Sequence, residues 1–114
     1  TDKRFLTINR GDSVRKAFQI MKDNDISQMP VTDNGSIVGS VTETAVLSYL
    51  LENPLQHTEE QVSAIMSDPF PVVEEDLPFS QLNKFINRKI PAVIAKDKAG
   101  AYHIVTQYDM IQAV

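Results

Sequence analysis

The feature that most constrains this chain is that one succession of elements runs through it twice. Residues 5–51 read as strand, helix, strand, strand, helix, and residues 61–114 repeat that plan after a short lead-in. A chain of 114 residues is one ordinary domain or two very small units sharing a core, and two segments of like order argue for an internal duplication, so an α/β (α+β) fold of two β-α-β-β-α repeats is expected. In the first half, Phe5–Asn9 has β character, and Val14, Ala17, Phe18 and Met21 fall on one helical stripe that ends near Asn24. Met29–Thr32 and Ile37–Val41 are strands joined by Asp33-Asn34-Gly35, a hairpin signal because Asn-Gly accepts positive φ. Thr42 caps a second helix that runs to about Leu51 and stops at Asn53-Pro54.

The second half follows with a polar linker, Leu55–Glu60, and a short helix, Gln61–Met66. Phe70–Val73 is a strand, and Pro78 opens a helix with Phe79, Leu82, Phe85 and Ile86 on its apolar face. Ala92–Ala95 and Tyr102–Val105 flank a turn, and Thr106 opens the last helix, with Tyr108, Met110, Ile111 and Val114 apolar. Aligning the halves sets Val93 against Pro30. Pro30 lies twelve residues before Thr42 and Val93 thirteen before Thr106, a difference assigned to the hairpin loop. The predicted organisation is 1–54 as the first repeat, 55–60 as linker and 61–114 as the second.

Composition narrows the function. With 114 residues, a net charge of −4 and no basic stripe, the chain offers nothing that tracks a phosphate backbone, so no nucleic-acid partner is expected. No apolar run spans a membrane and no signal sequence is read, so the expected location is cytoplasmic. The absence of cysteine excludes disulfides and thiolate metal sites. The chain opens at Thr1 rather than Met, as a piece cut from a longer protein or a processed chain would. Four scattered glycines make no phosphate loop, and no nucleophile elbow or pyridoxal-phosphate lysine fingerprint is present, so no catalytic residues are assigned.

The stretch Ile26-Ser-Gln-Met-Pro-Val31, a turn, then Ile37-Val-Gly-Ser-Val-Thr42 and a helix resembles the core of a CBS repeat. His103-Ile-Val-Thr106-Gln-Tyr-Asp109 resembles the closing motif of the same family, and Met66-Ser-Asp-Pro-Phe-Pro-Val-Val73 resembles the entry into a second repeat. The resemblance covers essentially the whole chain. It implies a CBS-pair (Bateman) module with pseudo-twofold symmetry that binds an adenosyl ligand, S-adenosylmethionine or AMP, ADP or ATP, in the cleft between repeats. It further implies an attached catalytic domain under regulation. The wording is most similar to the C-terminal region of bacterial cystathionine β-synthase-like enzymes. Pyridoxal phosphate is then expected only in that host domain, and this chain carries no cofactor of its own.

By the same resemblance, Asp109 accepts from the ribose hydroxyls and Thr106 reaches the ribose or phosphate. Ile26 and Met29 sandwich the adenine, backbone groups around Gln28 and Met29 read its edge, and Thr7 lines the pocket. An ionised carboxylate suits the diol because it is acceptor-only, with two oxygens. Ala45 stands where the first repeat should carry its acidic residue, so the other cleft, with Lys89, Ile90 and Pro91, is expected to lack that function. His103 occupies a position where the family often has glycine.

Each of these residues also has a plainer reading. Thr106 and Asp109 have the spacing of a capping box, and Ile26 and Met29 suit an ordinary core. Glu74-Glu75-Asp76 reads as a solvated helix entry, and His57 and His103 as isolated histidines that make no metal site. Val46, Leu47, Leu50 and Leu51 form a stripe that covers its own sheet or pairs two copies; a homodimer is expected. The rival to sensing is a ligand-free structural module for oligomerisation or autoinhibition of its host.

Overall fold

The computed structural model describes residues 5–54, 59–87 and 89–112. They form two compact units, one of residues 6–69 and one running from Phe70 onward together with Phe5.

The first unit contains β1 (Ile8–Asn9), α1 (Val14–Asn24), β2 (Gln28–Asp33), β3 (Ser36–Thr42) and α2 (Glu43–Glu52). Strand β2 lies centrally, parallel to β1 and antiparallel to β3. Ser13 caps α1 by accepting from Lys16 N–H at 3.0 Å, which satisfies one of the donors a helix start leaves over. At its other end Asp25 adopts φ 53° and its N–H turns back to the last carbonyls. The stripe Val14, Ala17 and Met21 is buried against Ile8, Met29, Val31, Val41 and Val46. Asn34 and Gly35 both have positive φ, 50° and 81°, as the hairpin signal requires.

The second unit repeats the plan with β4 (Val72–Glu74), α3 (Phe79–Leu82), β5 (Ala92–Lys96), β6 (Tyr102–Thr106) and α4 (Gln107–Gln112). Strand β5 is central, parallel to β4 and antiparallel to β6. Leu82, Ile86 and Val93 are its buried centre, with Val73, Leu77, Phe85, Val105 and Met110 packed on them.

Several elements differ from the sequence expectation. The first strand contracts to Ile8–Asn9, and the helix expected over 61–66 is a single 3-10 turn, Val62–Ala64. Pro69 and Pro71 have no N–H to give a ladder, so the strand begins only at Val72. The Pro71 carbonyl still accepts from Ile94 N–H at 2.8 Å. Helix α3 stops after one turn, leaving Phe85 in a turn and Ile86 just past it. There the Asn87 side chain claims the N–H groups of Lys89 and Ile90, a local alternative to helical bonding. The repeat alignment also shifts: Gln28 pairs with Thr42 and Ala92 with Thr106 at equal separation, so Val93 stands against Met29 rather than Pro30. The hairpins differ instead in shape, the first being tight with an irregularity at Val31/Thr32 and the second turning over 97–101. The expectations for 55–58 of the linker, for His57 and for Val114 lie outside the described residues.

The segment that opens the second repeat in sequence packs on the first unit. Val62 is wholly buried in the core that holds Val14. Its N–H donates to the Asp12 carbonyl at 2.8 Å, Ser63 N–H to Arg10, and Val14 N–H to Glu60. Ser40 and Ser67 exchange both backbone bonds, at 2.9 and 2.8 Å, and Ser40 Oγ donates to the Asp68 carbonyl at 2.7 Å. A Cβ on Gly39 would meet Ser67 O at 2.9 Å, so this close backbone approach requires glycine. Among the described residues no helix is long and apolar enough to cross a membrane.

Candidate functional site

Strand β6 delivers Thr106 to the mouth of α4, and the helix returns Asp109 beside it. Asp109 Oδ2 accepts from Thr106 N–H at 2.9 Å and from Thr106 Oγ1–H at 3.1 Å, while Asp109 N–H donates to Thr106 Oγ1 at 3.3 Å. This is a reciprocal capping box with an acidic residue at its third helical position. Both side chains are half-buried. The plain and the functional roles therefore coincide, because the carboxylate is held at the helix mouth by the backbone it caps.

The equivalent turn of the first unit has the cap without the acid. Ala45 N–H donates to Thr42 Oγ1 at 3.1 Å, and no carboxylate is available at Ala45 to return the bond. Glu43 N–H instead finds the carbonyl of Ser27 at 2.8 Å, which ties the start of α2 to the loop before β2.

The residues assigned to the base lie around that loop. Ile26 is half-buried and, with Phe18, Met21, Lys22, Ser27 and Glu43, lines an open depression of about 370 Å³ on the first unit. Gln28 is half-buried at the first position of β2, its Oε1 accepting from Ser27 Oγ–H at 3.1 Å. Met29 is 0% exposed, enclosed in the first core, so its side chain is a packing element here. Thr7 is exposed just before β1. Of the residues assigned to the empty-acid cleft, Ile90 and Pro91 are half-buried and Lys89 is exposed.

The structure also corrects the reading of His103 as remote from any carboxylate. His103 Nε2 lies 3.3 Å from Asp97 Oδ2, and Glu75 brings a third donor, all within 4.8 Å of one another. Asp97 Oδ1 accepts from the N–H groups of Ala99 and Ala101, each at 2.9 Å. The bond from Ala101 foremost, with His103 and Ala99 adding to it, outweighs partial desolvation and holds the Asp97 carboxyl below its ordinary pKa. Sequence reasoning missed the cluster because its members come from three segments. Only the register, with Ala95 opposite His103 and Glu75 N–H on the Lys96 carbonyl, brings them together.

Two three-stranded sheets of like topology, each closed by a helix capped by threonine, define a tandem α/β repeat protein. The chain belongs to the CBS domain family, whose model matches residues 1–52 and again 62–114. An uncharacterized protein of Methanocaldococcus jannaschii is 29% identical over 96% of this chain, which spans only 29% of that relative's length. The CBS domain protein TA0289 of Thermoplasma acidophilum, of unknown function, superposes with a TM-score of 0.78 at 24% identity, covering 97% of this chain and 64% of that one. CBSX2 of Arabidopsis thaliana, solved in complex with AMP, superposes with a TM-score of 0.71 at 18% identity over 96% of this chain and 87% of its own. At such identities the solved structures show the fold.

Proposed function

We propose that this chain is a regulatory CBS-pair module that binds an adenosyl ligand and governs an attached catalytic domain. The observation that carries the reading is the Thr106–Asp109 pair, with its carboxylate fixed at the mouth of α4. On ligand entry the Thr106 hydroxyl proton is released from Asp109 Oδ2 and a ribose hydroxyl donates in its place. The Thr106 N–H bond stays and keeps the acid in position. Ile26 and backbone groups around Gln28 and Met29 supply contacts to the base, while the Met29 side chain supports them from the core. The AMP complex of CBSX2 supports an adenosine-type ligand.

The catalytic partner is proposed to be a pyridoxal-phosphate enzyme similar to cystathionine β-synthase, on the sequence resemblance of Ile26–Val31 followed by Gly39-Ser-Val41 and of the Met66…Pro69-Phe-Pro71 stretch. S-adenosylmethionine is accordingly the first ligand to test. Regulation follows if two states of the module bind the ligand unequally, since only differential affinity shifts an equilibrium.

Calorimetric titration with S-adenosylmethionine, AMP and ATP tests the reading. One equivalent of one ligand is expected, with binding lost in Asp109→Asn, which keeps an oxygen for the cap but removes the charge. A second reading, a ligand-free structural module, is favoured by Ala45 at the acid position of the first unit. Silence from all three ligands in a folded sample selects it.

A further inference from the structure

The second unit brings Glu75, Asp97 and His103 together at one edge of its sheet; Glu75 and Asp97 have no part in the nucleotide reading, and His103 enters it only as the residue at a position where the family often has glycine. Glu75 follows β4, Asp97 follows β5 and His103 lies on β6. The ladder fixes their relation: Glu74 pairs with Lys96, Glu75 N–H continues that pairing to the Lys96 carbonyl at 2.9 Å, and Ala95 pairs with His103. Side chains two apart along a strand share a face, so Glu75, Asp97 and His103 project together.

The Asp97–His103 spacing suits a cation, with the Glu75 donor within 4.8 Å of both. Zinc bonds to carboxylate and imidazole are about 2.0–2.2 Å, which sets two ligands at a tetrahedral angle about 3.3–3.5 Å apart. Asp97 Oδ2 and His103 Nε2 are 3.3 Å apart. Asp97 is also pre-oriented, its other oxygen being held by two backbone N–H groups in the manner of the outer contacts that aim a metal ligand.

The cluster differs from a solvated acidic patch in two respects. It contains an imidazole, which favours first-row transition ions over magnesium or calcium. Glu75 and His103 also border a half-open depression of about 340 Å³ whose other lining, Glu74 apart, is apolar, including Val73, Leu77, Leu82 and Val105. The depression lies beside α3, which has four residues where α1 of the first unit has eleven. Three protein donors leave a coordination position for water or a further ligand, and the depression has room for one.

We propose that Glu75, Asp97 and His103 bind a divalent transition-metal ion, of which zinc is the probe, at the edge of the second sheet. The chain has only two histidines, so carbon–proton correlation spectra of the imidazoles assign the site directly. Titration of the intact chain with zinc chloride is expected to bind one equivalent and to shift His103 but not His57. Affinity should fall about tenfold or more in His103→Ala and in Glu75→Gln and stay unchanged in His57→Ala. Glu75 is exposed and the glutamine is isosteric, so that variant tests the site without testing the fold. The absence of saturable binding at millimolar zinc would overturn the proposal. Binding that shifts His57, or that survives both Glu75→Gln and His103→Ala, would overturn it equally.

Discussion

Asp109 illustrates how one side chain can hold two positions in the energetics. Its bonds to Thr106 N–H and Oγ1–H close the first turn of α4, so Asp109→Ala should lower stability by about 1 kcal/mol even without ligand. Thermal melts of the apo chain would read that cost apart from any binding defect. Met29 makes the opposite case, for its side chain has no exposure to lose. Met29→Ala should cost about 2–5 kcal/mol in urea unfolding, through the cavity it leaves among Val31, Val41 and Val46. Asp97 carries the pH dependence. Its pKa is lowered in the folded chain, so its contribution is present above the ordinary carboxylate value and disappears as pH falls through the folded one. Asp97→Ala should therefore be less stable than the parent at neutral pH, and the gap should narrow below about pH 4. Urea midpoints measured at both pH values would show it.

Among the elements, those with strong local signals were legible. Helix α1 follows from its apolar period and Ser13, the first hairpin from Asn34-Gly35, and α2 from Thr42 and Asn53. The shortness of α3 was not, because the apolar positions Phe85 and Ile86 continue a helical period while Asn87 bonds its own neighbours. The Thr106–Asp109 spacing was readable as motif and as cap alike. The Glu75–Asp97–His103 cluster was not readable at all, since strand register is a tertiary fact that local spacing does not encode. Gly39 belongs to this scale too. It sits where β3 meets the 66–67 segment, so Gly39→Ala must push against the Ser67 carbonyl as well as the flexible Met66 side chain. A loss of about 1–3 kcal/mol is expected, with faster amide exchange at Ser40 and Ser67, whose mutual bonds depend on that approach.

For the whole molecule, each unit leaves apolar groups exposed on its last helix: Leu51 at 81% on α2, and Tyr108 and Ile111 at 63% and 68% on α4. We expect these to support a homodimer. Sedimentation should find the parent dimeric and a Leu51→Glu, Ile111→Glu double variant monomeric, with the fold of each retained. The offset between repeats and compact units has its own consequence. Val62 fills a core whose other fully buried members precede it by sixteen residues or more, and Phe5, whose ring lies tilted beside that of Tyr102 with centroids 5.6 Å apart, belongs with the unit that begins at Phe70. A repeat expressed alone would have an unfilled socket and an unhoused leader, and could complete itself only by trading leaders with a second copy. Such an exchange depends on protein concentration. Joining the copies in one chain makes it intramolecular, at an effective concentration on the order of millimolar, so completion of the core no longer depends on how much of the protein a cell contains.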